Sequence, residues 1–335
     1  MLLRPKSYSE VLAGIHRYSS ADTPLVRHTA YRLSKALSSL RLKKIDERTV
    51  PNDKSEIRAF VCIRNEELRL PYFLKYHLEM GVDRIFIIDN CSTDSSSEIA
   101  QSFKNVHVYR TPESYLAYAS WIEILLNKYA QDSWALVLDC DELFSGPAIG
   151  DGKLRTICDY LQKNQFNALW CTVLDMYADA PLKDVCYQAG EDPLLLCPYF
   201  DNEFYLEKVR CLDRVRWEMY DAEALIGGVR KRAFDLACWV SKTPLFFYSQ
   251  QISLNRGSHT LSHARLADIS GVLFHFKFFS DFLHRLPEEV AREVRDGLAR
   301  EYKIMVKKIS PEMNLFTSSS ILYSGKDQLH ALGII

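Results

Sequence analysis

From residue 57 onward, short apolar runs rich in β-branched and aromatic residues alternate with stretches of helical composition. The runs are 57–63 (IRAFVCI), 84–88 (RIFII), 106–109 and 134–138 (WALVL), and the helix-like stretches between them are 66–80, 94–103 and 114–129. This alternation leaves a chain few options, because each helical crossover returns it to the same sheet and the strands come out mostly parallel. Runs that are apolar throughout also require cover on both faces of that sheet. The expected fold class is therefore α/β, a mostly parallel sheet flanked by helices. Gly81 closes the first helix, Pro71 breaks its first turn from the rest, and Asp94 or Ser95 caps the second.

The pattern loosens after Asp151. Residues 153–163 read as helix and 168–174 as strand, while 178–260 carry irregular aromatics and turns. Aromatic residues between 199 and 220 fit core packing better than sugar stacking. Residues 272–279 are again apolar, and 283–308 read as one long amphipathic helix broken at Pro287. Ahead of the alternation, residues 1–54 read as a helical prefix ended by Pro51-Asn52-Asp53.

With 47% hydrophobic and 25% charged residues over 335 positions, the chain can bury a sizeable core, which argues against global disorder. The net charge of -1 provides no field that would select nucleic acid. Residues 1–50 nevertheless hold ten Lys/Arg against four acids. A solvated helical prefix accounts for this best, with peripheral contact to a membrane surface as the alternative. Nine cysteines without a CxxC pair suit reduced, buried thiols better than a disulfide framework or a zinc knuckle. There is no signal-peptide core and no apolar run of roughly 18 residues that could span a bilayer. The expected location is cytoplasmic, at most peripheral at the inner membrane face.

The chemistry concentrates where the run 134–138 meets Asp139-Cys140-Asp141-Glu142. Carboxylates inside a sheet cost several kcal/mol unless paired or metal-bound, so these acids belong at the strand's carboxyl end, where open α/β sheets bind ligands. Oxygen ligands on a short turn suit Mg²⁺ or Mn²⁺, and such an ion can bridge diphosphate oxygens. The bland alternative is a turn of solvated acids. Two further strand ends carry polar clusters, Arg64-Asn65-Glu66 and Asp89-Asn90-Cys91-Ser92-Thr93-Asp94. The second also suits an Asx turn with a helix cap.

Residues 58–147 resemble the nucleotide-binding half of GT-A-fold, inverting glycosyltransferases of family 2, in the bacterial branch related to family 92. The motifs that carry the resemblance are Cys62-Ile-Arg-Asn-Glu66, Ile88-Asp-Asn-Cys-Ser-Thr-Asp94 and Leu138-Asp-Cys-Asp-Glu-Leu-Phe144, in matching order and spacing. Gly227-Gly-Val-Arg-Lys-Arg232 and Leu273-Phe-His-Phe-Lys-Phe278 are similar to later motifs of the branch. The resemblance implies a GT-A domain over 55–280, divided into a nucleotide-binding half (55–150) and an acceptor half (151–280). A helical extension (1–54) precedes it and a helical segment (281–335) follows.

It implies Arg64, Asn65 and Glu66 beside the nucleotide, Asp89 on a base such as uracil, and Asp139 on ribose or metal. Asp141 becomes the main metal ligand, His275 a late one, and Lys277 a contact to the diphosphate. The expected cofactor is Mn²⁺ or Mg²⁺, the donor a nucleotide sugar such as a UDP-sugar, and the acceptor a glycan or glycoconjugate in polysaccharide assembly.

An inverting transfer needs a base for the acceptor hydroxyl. Glu218 and Asp221 are the favoured candidates because they precede Gly227-Gly228, whose lack of side chains could admit the acceptor. Asp175, Asp201 and Glu203 stand behind them. Two other readings remain. A sugar-1-phosphate nucleotidyltransferase would need a glycine-rich first loop, which Arg64-Asn65-Glu66 is not. A non-catalytic protein on a degenerate transferase fold is the other.

Overall fold

The computed structural model describes residues 24–147, 149–291 and 298–335. The N-terminal half of the basic prefix, and any contact it makes, lies outside the described residues. A nine-stranded sheet organises the rest. Helix α1 (Pro24–Arg41) leads to β1 (Lys43–Lys44), which pairs antiparallel with β4 (Val106–Arg110) at one edge. Inward from β4 come β3 (Arg84–Asp89), β2 (Arg58–Ile63) and β5 (Ser133–Asp139), all parallel. Next is β11 (Ser241–Tyr248), antiparallel to both its neighbours, β5 and β7 (Ala168–Asp175). The far edge is β14 (Leu266–His275), parallel to β7, and then β6 (Glu142–Ser145), antiparallel. Six strands (β2, β3, β4, β5, β7 and β14) thus share one direction, which makes the sheet mostly parallel.

Helices cover both faces, as continuous apolar strands require. On one face α2 (Leu70–Glu79) and α5 (Leu154–Lys163) pack over Val61, Ile87, Leu136 and Leu169. On the other, α4 (Tyr118–Tyr129) packs Trp121 and Leu125 over Phe60, Phe86 and Val137. These side chains are all within 1% of fully buried, so truncating one, as in Leu136→Ala, costs about 2–5 kcal/mol.

Two proline expectations are corrected. Pro71 breaks nothing; it sits in the first turn of α2, where its missing N–H costs no helical bond. Pro287 lies inside α8 (Phe282–Ala291), which runs through it. The next helix, α9, spans Leu298–Lys308. Gly81 does end α2, at φ +101°. Residues 204–227, illegible in the sequence, form a long antiparallel ribbon of β9 (Phe204–Asp213) and β10 (Glu218–Gly227). No described helix is long and apolar enough to cross a membrane.

Candidate active site

The common direction of six strands delivers their carboxyl ends to one edge. The pairing register sets Ile63 beside Asp89, Cys62 beside Asp139, and His275 beside Asp175. Polar residues that follow apolar strands therefore collect in one row. A cleft opens along it, lined by Glu66, Asp139, Asp141, His275, Lys277 and Arg285, with Tyr115 and Tyr302 at its sides. The segment after residue 280 is part of this wall: Arg285 of α8 pairs with Glu66 at the β2 tip.

Asp141 and His275 face each other, with Nε2 of the imidazole 3.1 Å from Oδ2 of Asp141. The other ring nitrogen, Nδ1, lies 2.5 Å from Asp175 Oδ1, and Asp175 Oδ2 accepts from Arg230 Nε at 2.7 Å. Burial disfavours a charged imidazole, but the two aspartates outweigh it and raise His275 to about 9. Asp175 is lowered to about 2; burial opposes the shift, and Arg230 and His275 overcome it. Asp141 is held well below the carboxylate range because His275 outweighs its burial. Adjacent ligands on an octahedral ion with bonds of about 2.1 Å stand about 3 Å apart, so Asp141 and His275 fit two neighbouring positions on one divalent ion. Ligation would displace the proton from His275, while Asp175 fixes the ring's orientation.

Lys242 was not singled out in the sequence. It enters the row from the opposite direction, at the start of β11. The ladder of β11 against β7 shifts register between Lys242 and Leu245, around Pro244, which has no N–H to donate. Lys242 Nζ donates to Asp139 Oδ2 and lies equally close, at 2.6 Å, to Glu142 Oε1. Burial works against the ammonium, but the two carboxylates hold its pKa above the usual lysine value. Glu142 also accepts from the Asp139 backbone N–H at 3.0 Å. The acid turn after β5 is thus internally braced.

Lys277 lines the same cleft, donates to Tyr302 OH at 3.2 Å and makes no salt bridge among the described residues. Arg69 forks onto Asp281 at 2.7 and 2.9 Å and donates to Phe276 O, fixing the strand end that carries His275.

The β2 and β3 tips are arranged differently from expectation. Arg64, Asn65 and Asp89 stand at the same edge but do not line the cleft; of that group only Glu66 does. Arg64 Nη1 donates to Asn90 O at 2.7 Å. Asn65 adopts φ +51°, a left-handed conformation asparagine tolerates, and its Oδ1 accepts from the Thr93 N–H at 2.8 Å. These residues bind the two tips together. Asp89 is wholly buried, and its Oδ1 accepts from the Ser92 N–H at 2.7 Å. Its Oδ2 is sealed from solvent without a hydrogen-bond partner, the nearest cation being Arg110 Nε at 3.8 Å. A buried carboxylate oxygen left in this way fits a ligand donor.

The base candidates do not come to the site. Glu218 and Asp221 lie on the exposed ribbon, outside the cleft, beside Arg216 at 3.9 Å and Arg210 at 3.6 Å respectively. Gly227, next to the site in sequence order, is required by packing: a Cβ there would meet Glu203 O at 2.1 Å. Among the other candidates, Asp201 is bound to Arg232 and Tyr177, and Asp175 is locked as described. At the ribbon's tip Asp213, Glu218 and His263 could also surround a cation, their ligand atoms lying within 4.8 Å. There Asp213 already accepts the N–H groups of Val215 and Arg216, which closes the turn.

Fold and site together define the class, an α/β domain with a mostly parallel sheet and an acid-lined cleft at its strand ends. Residues 59–177, which run from β2 through β7, match the model of glycosyl transferase family 2. No curated protein sequence matches the chain. Among solved structures, a mannosyltransferase from Pyrobaculum calidifontis in complex with GDP-Man and Mn²⁺ aligns at 17% identity over 49% of this chain and 46% of its own, with a TM-score of 0.29. Glucosyl-3-phosphoglycerate synthase from Mycobacterium tuberculosis, with Mn²⁺, UDP and glucosyl-3-phosphoglycerate, aligns at 13% over 42% of this chain and 53% of its own, with a TM-score of 0.25. The chain thus spans about half the length of those proteins.

Proposed function

We propose that the protein is a divalent-metal-dependent glycosyltransferase that moves a sugar from a nucleotide-sugar donor, a UDP-sugar, to a glycan or glycoconjugate hydroxyl with inversion. The observation that carries this reading is the pair Asp141 and His275, 3.1 Å apart, in one cleft with Lys277, a cation without a salt bridge among the described residues. Mn²⁺ held by that pair would supply charge to the donor's diphosphate, and the imidazole makes the set less suited to Mg²⁺.

The chain's own residues do the rest. Lys277, whose ammonium lies over the Tyr302 and Phe282 rings, offers that charge to the departing diphosphate. On this reading the bound nucleotide extends from the cleft to the β3 tip, where Asp89, outside the cleft lining, would offer its unsatisfied oxygen to the imino N–H of the base, and Tyr115, within the lining, would offer an aromatic face. Lys242 holds Asp139 in position while neutralising part of the acid turn. Neither Glu218 nor Asp221 lines the donor cleft, so neither serves as base in this reading.

The test is titration with UDP and UDP-sugars in the presence and absence of Mn²⁺, followed by assay of UDP release. Mn²⁺-dependent binding and UDP release are expected, both lost in Asp141→Ala. Metal-independent binding, no binding by any UDP-sugar, or release of pyrophosphate from UTP and a sugar 1-phosphate would each overturn the reading.

A further inference from the structure

A second and larger groove, of about 920 Å³, begins behind the acid turn, with Thr243 and His259 at its head. Thr243 follows the Lys242 that holds Asp139. The loop 256–259, between β12 (Leu254–Asn255) and β13 (Thr260–Leu261), lies over the strand tips: Ser258 Oγ donates to Val137 O at 3.3 Å, and Ser258 O accepts from the Thr243 N–H at 2.6 Å. These bonds tie the loop at the head of the groove to β5 and β11 near their strand tips, although the groove and the cleft share no lining residue.

His259 Nδ1 lies 2.7 Å from Ser241 O. A carbonyl can only accept, so Nδ1 carries the proton and Nε2 carries a bare lone pair. That nitrogen has no hydrogen-bond partner among the described residues, and the side chain lines the groove. Burial, and then the nearby Lys242 ammonium, push His259 down to about 3, which keeps the lone pair unprotonated.

Beyond His259 the groove runs beneath the β9–β10 ribbon. Tyr220 and Glu223 of the ribbon and Trp170 and Asp268 of the sheet line it. Aromatic faces with carboxylate acceptors between them suit sugar rings, whose C–H faces stack and whose hydroxyls donate. The same carboxylates repel an anionic chain, and they interrupt the unbroken apolar lining an acyl chain would need.

We infer that this groove seats a neutral oligosaccharide acceptor, with His259 Nε2 accepting a hydrogen bond from the hydroxyl at its head. The inference rests on the transferase reading above and adds the acceptor's chemical class and its seat.

An array of neutral and anionic oligosaccharides, probed with the full-length protein, tests it. The wild type is expected to retain neutral oligosaccharides in preference to anionic ones. His259→Ala and Trp170→Ala should weaken retention roughly tenfold or more, about 1.4 kcal/mol. Ala222→Trp, which fills the groove without removing a core side chain, should abolish it while the melting temperature stays within a few degrees of wild type. The inference is overturned if no neutral glycan is retained, if anionic or lipid-linked probes are preferred, or if the well-folded Ala222→Trp protein retains glycans as the wild type does. UDP-sugar titration of the same preparation separates the two readings. Donor binding without glycan retention sinks the groove assignment alone, whereas absence of donor binding sinks the transferase reading whatever the array gives.

Discussion

The ammonium of Lys242 lies 2.6 Å from the carboxylate of Asp139, so the first acid of the turn is already committed to a cation that the protein supplies. This divides the labour of the turn. The buried Glu142 and Lys242 form an ion cluster with the partly exposed Asp139, and Asp141 points to His275 across the cleft. On the proposed function, metal affinity would be concentrated on the Asp141–His275 side, and Lys242 would keep the remaining acids from repelling a diphosphate.

Removing Lys242 therefore tests stability first. Its side chain is 7% exposed and that of Glu142 only 2%. Lys242→Met leaves Glu142 as an uncompensated buried acid, and loss of one partner of such a pair costs about 3–5 kcal/mol. Denaturant unfolding at neutral pH should detect this loss, and the double variant Lys242→Met with Glu142→Gln should recover part of it. Unchanged stability in the single variant would contradict the arrangement.

Asp175 touches no ligand; it holds the far side of the His275 ring and is itself held by Arg230. Asp175→Asn should weaken Mn²⁺ affinity by about 10–100-fold, the usual effect of losing a carboxylate behind a ligating histidine. Asp141→Ala should remove measurable Mn²⁺ binding. Calorimetric titration of metal into both variants distinguishes the roles. Equal, small effects would mean that the pair does not bind the ion.

Much of the frame was legible because it follows from local pattern. Continuous apolar runs such as IRAFVCI can only be two-sided strands, and acids at the end of WALVL can only emerge at the sheet edge. The row of strand ends follows from that, and so does the place of Asp141 in it, whereas His275 and Lys277 are reached only through the resemblance of Leu273-Phe-His-Phe-Lys-Phe278 to a later motif of the family. What escaped depends on chain returning from a distance. Lys242 sits in SKTPLFFY, within the stretch 178–260 that carries no regular pattern, and only the antiparallel insertion of β11 brings it to Asp139. Arg285 was hidden in a charged helical stretch that read as solvated, yet it pairs with Glu66. Glu218 and Asp221 failed because nearness in sequence to Gly227 is not nearness to the cleft. An extended ribbon at about 3.3 Å per residue carries them well away from that glycine.

His77 gives the fold an acid-sensitive joint. It lies on α2, buried, with Nδ1 bonded to Phe73 O at 2.9 Å and Nε2 accepting the Phe144 N–H of β6 at 3.2 Å. Burial lowers it from 6.5 to about 4, so the folded protein holds it neutral where the unfolded chain would protonate it. The unfolded state therefore binds more protons between those values, and stability falls as pH drops from about 6.5 to about 4, by roughly 3 kcal/mol in all. His77→Gln should flatten that part of the stability profile. Parallel profiles for variant and wild type would refute the assignment.

Asp89 separates a binding role from a structural one. Its Oδ2 is buried without a hydrogen bond, so an isosteric neutral group there removes a buried charge and loses no hydrogen bond to that oxygen. Asp89→Asn should leave thermal stability near wild type or slightly above it. Affinity for UDP should nevertheless fall by about 10–100-fold, because a hydrogen bond to a charged group contributes about 1.5–3 kcal/mol and the amide presents a weaker or wrongly oriented partner to the base. The pairing of the two measurements is what matters. A fall in stability that matches the fall in affinity would make Asp89 a packing residue of the β3 tip, and unchanged UDP affinity would remove it from base recognition altogether.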